Sequence, residues 1–293
     1  MFKNTAKTAV LLAGLGGLIV AVAGLIGRGS TGAFTIGVVI ALVMVGGSYW
    51  FSDRLALAAG RAQVIERSDH PELYDMVANL AQRANLPMPR VAISQSEQPN
   101  AFATGRNPSH AVVCATSGLL QSLPRNEVEA VMAHELMHVK HRDILIGSVA
   151  AAIATAISYI AQMAMFASMF AGGRDDEDRP NPIAMLLMSL LAPIAASLIQ
   201  MAVSRSREFE ADRGAAELLG SGESLASALE RIEVLAARRP MAIAPAQAHA
   251  YIHNPLAEFR GGRNSSMARL FSSHPATEER ISRLRSMRFA GTR

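Results

Sequence analysis

The sequence predicts an α-helical membrane protein, with four transmembrane helices in two hairpins and a mainly α (α+β) domain on the cytoplasmic face. Three observations predict this. Half of the 293 residues are hydrophobic and only 18% are charged, with a mean hydropathy of +0.21, which is high for a single soluble domain. Four stretches carry no charged residue: Thr8–Gly27 (20 residues), Thr31–Ser52 (22), Ile144–Gly173 (30) and Pro180–Ser204 (25). About 20 apolar residues suffice for a helix to cross the hydrocarbon core. Finally, Lys3, Lys7, Arg54, Arg61, Arg67, Lys140, Arg142, Arg205 and Arg207 all fall on one side of these stretches. The other side receives Arg28 and the acidic loop 174–179. By the positive-inside rule the basic side is the cytoplasm.

The elements follow in order. Residues 1–52 form the first hairpin. A cleaved signal peptide is the competing reading of its first run, but that run is long for a signal core and a second run follows after three residues. Residues 53–143 form the first half of the cytoplasmic domain. There "HPELYDMVANLAQRANL" (70–86) repeats apolar residues at helical spacing behind Pro71. "RVAISQ" (90–95) and "HAVVCATS" (110–117) read as short strands, with a further edge strand at 101–104. "LPRNEVEAVMAHELMHVKHRD" (123–143) reads as a helix. Residues 144–204 return as the second hairpin, kinked at Pro193, and 205–293 supply a largely helical second half. The two polar halves are expected to fold together. The net charge of +4 reads as membrane topology, and no nucleic-acid partner is expected.

The chemistry lies in "AVMAHELMHVKH" (130–141). A single cysteine, Cys114, excludes a cysteine-based cluster, so a metal must be held by histidine and carboxylate. On a helix His134 and His138 are one turn apart on one face, and both imidazoles reach one ion. Glu135 is rotated about 100° from His134, beside that face, where a carboxylate contacts a metal-bound water instead of the metal. Zinc with three protein ligands and an open position lowers the pKa of that water to about 7, and Glu135 then serves as general base. H-E-x-x-H on a helix is a fairly specific sign of such hydrolysis. His141 is excluded as third ligand, because on an unbroken helix it stands roughly 10 Å from His134 along the axis.

The hairpin topology supplies the third ligand. It returns "SRSREFEADRGAAELLG" (204–220) to the same membrane face, with Glu208 four residues beyond the fourth span. Glu208 is preferred to Glu210, and Asp212, one turn on, is placed to orient a ligating histidine. The fold class is then a zincin-like cytoplasmic metalloprotease domain on a four-span helical anchor, holding one Zn2+ per chain.

These residues resemble the HtpX family of bacterial membrane zinc metalloproteases, relatives of the CAAX prenyl endopeptidases. The likeness rests on the N-terminal hydrophobic hairpin, "NAFATG" (100–105), "VMAHELMHVKHRD" (131–143), "SRSREFEAD" (204–212) and "LFSSHPATEERISRL" (270–284). It implies a stress-induced zinc endopeptidase of the cytoplasmic (inner) membrane that cuts misfolded or damaged membrane proteins. It also implies zinc binding by His134, His138 and Glu208, with Glu135 catalytic. "NAFATG" reads as an exposed edge whose residues Asn100, Ala101, Phe102 and Ala103 pair with a substrate strand, or as a plain structural edge. Arg205 and Arg207 are read as headgroup contacts in preference to supports for Glu208. His274, before Pro275, is left out of the catalytic set.

Two alternatives compete. An intramembrane protease is disfavoured because Arg125, Glu127, Glu129, Lys140, Arg142 and Asp143 flank the motif and belong in water or at the interface. A four-span transporter, or a scaffold with a non-catalytic metal site, is disfavoured because no span carries an ionisable residue and Glu135 is present.

Overall fold

The computed structural model describes residues 29–145, 205–238, 251–252 and 276–288, with scattered positions between 9 and 24. The second predicted hairpin beyond residue 145, with Pro193, lies outside the described residues, as does His274.

Helix α1 (Thr31–Trp50) carries no acidic or basic residue. The described helical positions before it pack against it antiparallel. Gly24 lies against Phe34, Gly37 against Ala23 and Val20, and Gly16 near Val45. A Cβ on Gly37 would stand 2.6 Å from that of Ala23, so the glycine lets the two backbones approach closely. The two segments thus pair as a helical hairpin. Its membrane-spanning geometry is less simple than expected: no single described helix is long and apolar enough to cross a membrane. Phe34–Gly47 and Ser52–Ala59 satisfy the criterion only together, with a 73° bend between them. The bend separates α1 from α2 (Ser52–Ala59).

The domain that follows is mixed α/β, with more sheet than the sequence predicts. The expected strands are β2 (Arg90–Ser94), β3 (Ala101–Gly105) and β4 (Ala111–Thr116). A fourth, β1 (Ala62–Ile65), was not expected; "AQVI" is only four residues long and extends the sheet by pairing antiparallel to β2. The order is β1-β2-β4-β3, with β2 and β4 parallel and β3 antiparallel to β4. Successive residues of β4 serve two cores. Val113 and Ala115 face the main core, while Val112 and Cys114 face a smaller one with Leu57, Phe102 and Tyr251.

Helix α3 (Pro71–Arg83) begins as read, with Pro71 in its first turn and His70 Nδ1 accepting a bond from Leu73 N at 3.3 Å. Its buried stripe is Leu73, Val77 and Leu80. After β4, Thr116 caps the short α4 (Ser117–Ser122), its hydroxyl oxygen accepting from Leu119 N. Helix α5 (Arg125–His141) then runs through the main core with Val131, Met132, Ala133 and Leu136 fully buried. Helices α6 (Arg205–Leu219) and α7 (Glu223–Ala236) pack against it, and α8 (Thr277–Ser286) packs on those two. Ala211, Ala215 and Ala216 keep α6 close to its neighbours, and Gly214 admits the Met137 side chain. The two polar halves of the sequence therefore share one core, as expected. Glu127 on α5, bonded to Arg231 on α7 at 2.8 and 3.1 Å, adds a polar tie between them.

Gly118 sits where any side chain would collide with the Glu97 carbonyl. Its backbone N–H donates to Ser96 O at 2.9 Å, so the two segments cannot simply part. Gly118→Ala is expected to destabilise the domain by about 2–3 kcal/mol, measured as a lowered denaturation midpoint with unchanged slope.

Candidate metal centre

Helical periodicity sets the first two donors. His134 and His138 on α5 present their Nε2 atoms to each other at 3.1 Å, with the rings edge to face. Glu208, in the first turn of α6, brings Oε2 to 3.7 Å from His134 Nε2 and Oε1 to 3.7 Å from His138 Nε2. Donor atoms of all three lie within 4.8 Å of one another, in reach of a single ion. Glu210 is exposed and turned away, and His141 stands outside the cluster.

Each imidazole is held from behind. His134 Nδ1 lies 3.0 Å from Asp212 Oδ1, the contact expected of Asp212 from its place one turn beyond Glu208. His138 Nδ1 lies 3.2 Å from both oxygens of Asp143, a residue that in sequence reads only as part of the charged helix flank. Local backbone geometry puts Asp143 there. Helix α5 ends with Arg142 in the left-handed region (φ 56°), Arg142 N donating to Val139 O and Asp143 N to His138 O. This Schellman turn folds the chain back beneath the last helical turn. A carboxylate at each Nδ1 draws the ring proton there and leaves the Nε2 lone pair for a cation.

Asp212 is itself buried and must be paired. Arg280 on α8, only 1% exposed, donates to it through Nε at 2.8 Å and Nη2 at 2.7 Å. Its Nη1 donates to the Ile252 carbonyl at 3.3 Å and lies 3.7 Å from Glu208 Oε2. Sequence reasoning missed Arg280. The only signal was its place in "LFSSHPATEERISRL", 68 residues from its partner.

The electrostatics follow from burial. Burial raises the Glu135 carboxyl to about 7; Glu208 pushes in the same sense and His138 against it. Burial opposes charge on Asp212 too, but the Arg280 guanidinium outweighs it and holds Asp212 down to about 2. His134 is pushed down by burial, against the pull of Asp212. For His138 burial acts in the same direction, yet Asp143, Glu208 and Glu135 outweigh it and hold the imidazole up to about 10, so a cation bound at Nε2 would displace a proton from it. The pocket thus gathers four buried carboxylates, Glu135, Asp143, Glu208 and Asp212, three of which, Glu135, Glu208 and Asp212, act on the buried cation Arg280.

That donor set fits a divalent ion. Two histidines with their backs occupied turn two lone pairs and a carboxylate on one point in an acid-rich, buried pocket. Tetrahedral ligands about 2.0–2.2 Å from one zinc stand roughly 3.3–3.6 Å apart, and the observed 3.1 and 3.7 Å separations bracket that range.

The remaining sequence candidates behave differently. Asn100 is fully buried and committed to the fold: its N–H donates to Thr116 Oγ1 and its Oδ1 accepts from Ala101 N. Ala101 and Phe102 are buried and Ala103 is half-buried. The outer edge of β3 is less open than expected. The Ala101 carbonyl accepts from Ile252 N at 3.0 Å, and Phe102 bridges Tyr251 with ring centroids 5.0 Å apart. Arg205 is exposed. Arg207, against the preferred reading, is half-buried within the fields of Asp143 and Glu208, and burial lowers its pKa.

A helix-borne pair of histidines, a glutamate from a second helix and the buried carboxyl of Glu135 are compatible with a metal-dependent peptidase. The chain belongs to peptidase family M48, whose model matches residues 67–288. It is 52% identical to a protease HtpX homolog of Burkholderia ambifaria (strain MC40-6) over 292 residues, 98% of either chain. Proteins of the same description from Burkholderia mallei (strain SAVP1) and Burkholderia thailandensis match with the same identity and coverage. In fold the chain resembles the crystal structure of S. mikatae Ste24p, with a TM-score of 0.51 and 20% identity. That match covers 97% of this chain and 66% of that one, just under two thirds of its length. The chain is therefore a metallopeptidase, and the scaffold and transporter readings fall away.

Arg280→Met should leave Asp212 charged and unpaired in the core, and is expected to cost about 3–5 kcal/mol in denaturant unfolding. Pairing it with Asp212→Leu should recover most of that loss, since both charges then go.

Proposed function

We propose that the chain is a zinc endopeptidase of the cytoplasmic membrane in which His134, His138 and Glu208 hold the ion and Glu135 is the general base. The observation that carries this reading is the pair of Nε2 atoms 3.1 Å apart, facing Glu208, with the buried Glu135 next in sequence to His134. Bound there, zinc supplies a Lewis acid that lowers the pKa of a coordinated water to about 7.

The chain's own groups do the rest. Asp212 and Asp143 fix the imidazole tautomers and aim the Nε2 lone pairs. Glu135, with its carboxyl raised to about 7 by burial, is matched to proton transfer near neutral pH. It takes the proton of the attacking water and delivers it to the departing amine. Arg280 holds Asp212 ionised, so that His134 keeps its Nδ1 proton. Substrate strands would reach the centre along β3, past the stretch of its edge taken by Tyr251 and Ile252, with Ala103 the least covered of the candidate positions.

The membrane placement rests on charge asymmetry and on the first hairpin. Leu42 (69% exposed), Val43 (68%) and Ile36 (61%) leave a large apolar face that no protein surface covers among the described residues, and lipid would cover it. With both soluble halves on the basic side, the centre faces the cytoplasm. Boundaries at 1–52, 53–143, 144–204 and 205–293 then divide two membrane hairpins from one split catalytic domain. Misfolded or damaged membrane proteins are the proposed substrates, supported by the HtpX resemblance and by where this placement would put the enzyme.

The test uses the full chain purified in detergent, with metal content and cleavage of an unfolded protein such as casein as readouts. Wild type should hold about one zinc per chain. Glu135→Gln should keep its zinc and lose about 10²–10⁴-fold in rate. His138→Ala should lose zinc and activity together. Asp143→Asn should bind zinc about 10–100-fold more weakly. Equal cleavage by wild type and Glu135→Gln would sink the assignment.

A further inference from the structure

A cavity of about 610 Å³ opens away from the metal centre, at the elbow where α1 gives way to α2. Its rim is aromatic: Trp50 closes α1 and Phe51 follows, 58% and 49% exposed. Its wall is basic. Arg106 leaves β3 just after Gly105 and lays its guanidinium over the Trp50 ring, 4.7 Å from the centroid. Arg54, on α2, stands 5.5 Å from the centroid of Phe51. Arg90 and His110 complete the basic lining. The one carboxylate there, Asp53, is already paired with Arg90. Arg54 and Arg106 form no ion pair with an acidic side chain among the described residues, so the cavity carries uncompensated positive charge.

We infer that this cavity binds the phosphate headgroup of an anionic phospholipid from the cytoplasmic leaflet. The inference rests on the membrane placement proposed above. A free phosphate ester would need only the cations. A lipid also uses what adjoins them: an exposed tryptophan at headgroup depth, and an apolar helix with no charged residue over 20 residues running from it. Arginines at the cytoplasmic end of a membrane helix are the groups that anionic headgroups favour. Arg106 serves twice, because stacking on Trp50 holds its fork in place for the phosphate oxygens. The cavity would thus seat the soluble domain at a fixed height and tilt against the bilayer.

Trp50 is the only tryptophan in the chain, which makes it a built-in reporter. The experiment uses full-length protein in mixed micelles, with phosphatidylglycerol or phosphatidylcholine brominated near the headgroup end of the acyl chains, and reads quenching of Trp50 emission. Phosphatidylglycerol should quench at roughly ten- to thirtyfold lower mole fraction than phosphatidylcholine, the preference expected of two headgroup-contacting arginines. Arg54→Ala with Arg106→Ala should abolish that preference. Arg106→Lys, which keeps the charge, should retain most of it and so separates binding from misfolding. Arg67→Ala, outside the cavity, should behave as wild type. Inorganic phosphate alone should leave the emission unchanged.

Equal quenching by the two lipids, or an undiminished preference in the double alanine variant, overturns the headgroup site while leaving the membrane placement standing. Phosphate binding as tightly as the lipid reassigns the cavity to a soluble anion and overturns it as well. Quenching by neither lipid means that Trp50 does not lie at a bilayer surface, and then the membrane placement itself fails.

Discussion

The buried relay from Arg280 through Asp212 to His134 is the constraint on which the centre depends. A carboxylate inside a protein is tolerable only when its charge is met and its oxygens are bonded. Asp212 meets that condition through two bonds from one guanidinium, in the fork geometry that a lysine would not reproduce. It can then serve the back of His134. The orientation of a residue on α5 is therefore set by α6, and the charge on α6 by α8. Packing of α8 against α7 and α6 thus sets the charge that stands behind His134.

The second histidine is supported by different means. Asp143 reaches His138 through the turn that ends the same helix, with no help from a distant element. One support is local and forms with the helix, while the other is tertiary and forms when the helices dock. The sheet completes the frame. Strands β3 and β4 pack against α5, and the fully buried β4 anchors both sheet faces, so the histidine-bearing helix has a rigid floor.

How much of this could be read from the sequence depends on the range of each interaction. His134, Glu135 and His138 are fixed by helical period alone, and Glu208 with Asp212 by the same period once α6 packs on α5. The expected strands β2 and β4 stand where "RVAISQ" and "HAVVCATS" put them. What could not be read was set by contacts without a local signature. Arg280 and Asp212 are 68 positions apart, and a buried arginine looks like a surface one in sequence. Asp143 needed a left-handed residue at Arg142, where no glycine or asparagine signals one. The strand β1 was too short to show alternation, and the cover over Ala101 comes from residues 251–252, which nothing in "NAFATG" announces.

The split of the donors between α5 and α6, with their clamp on α8, has a consequence in time. As the chain is made, the histidine helix exists before Glu208, and Glu208 before Arg280. A nascent chain that has folded only its first half offers two histidines and no complete cage. Until α8 docks, Asp212 has no partner for its charge and His134 no fixed orientation. Completion of the candidate centre therefore comes late, with the docking of a ten-residue helix, so a peptidase assembled in this order is kept from acting on its own unfinished chain.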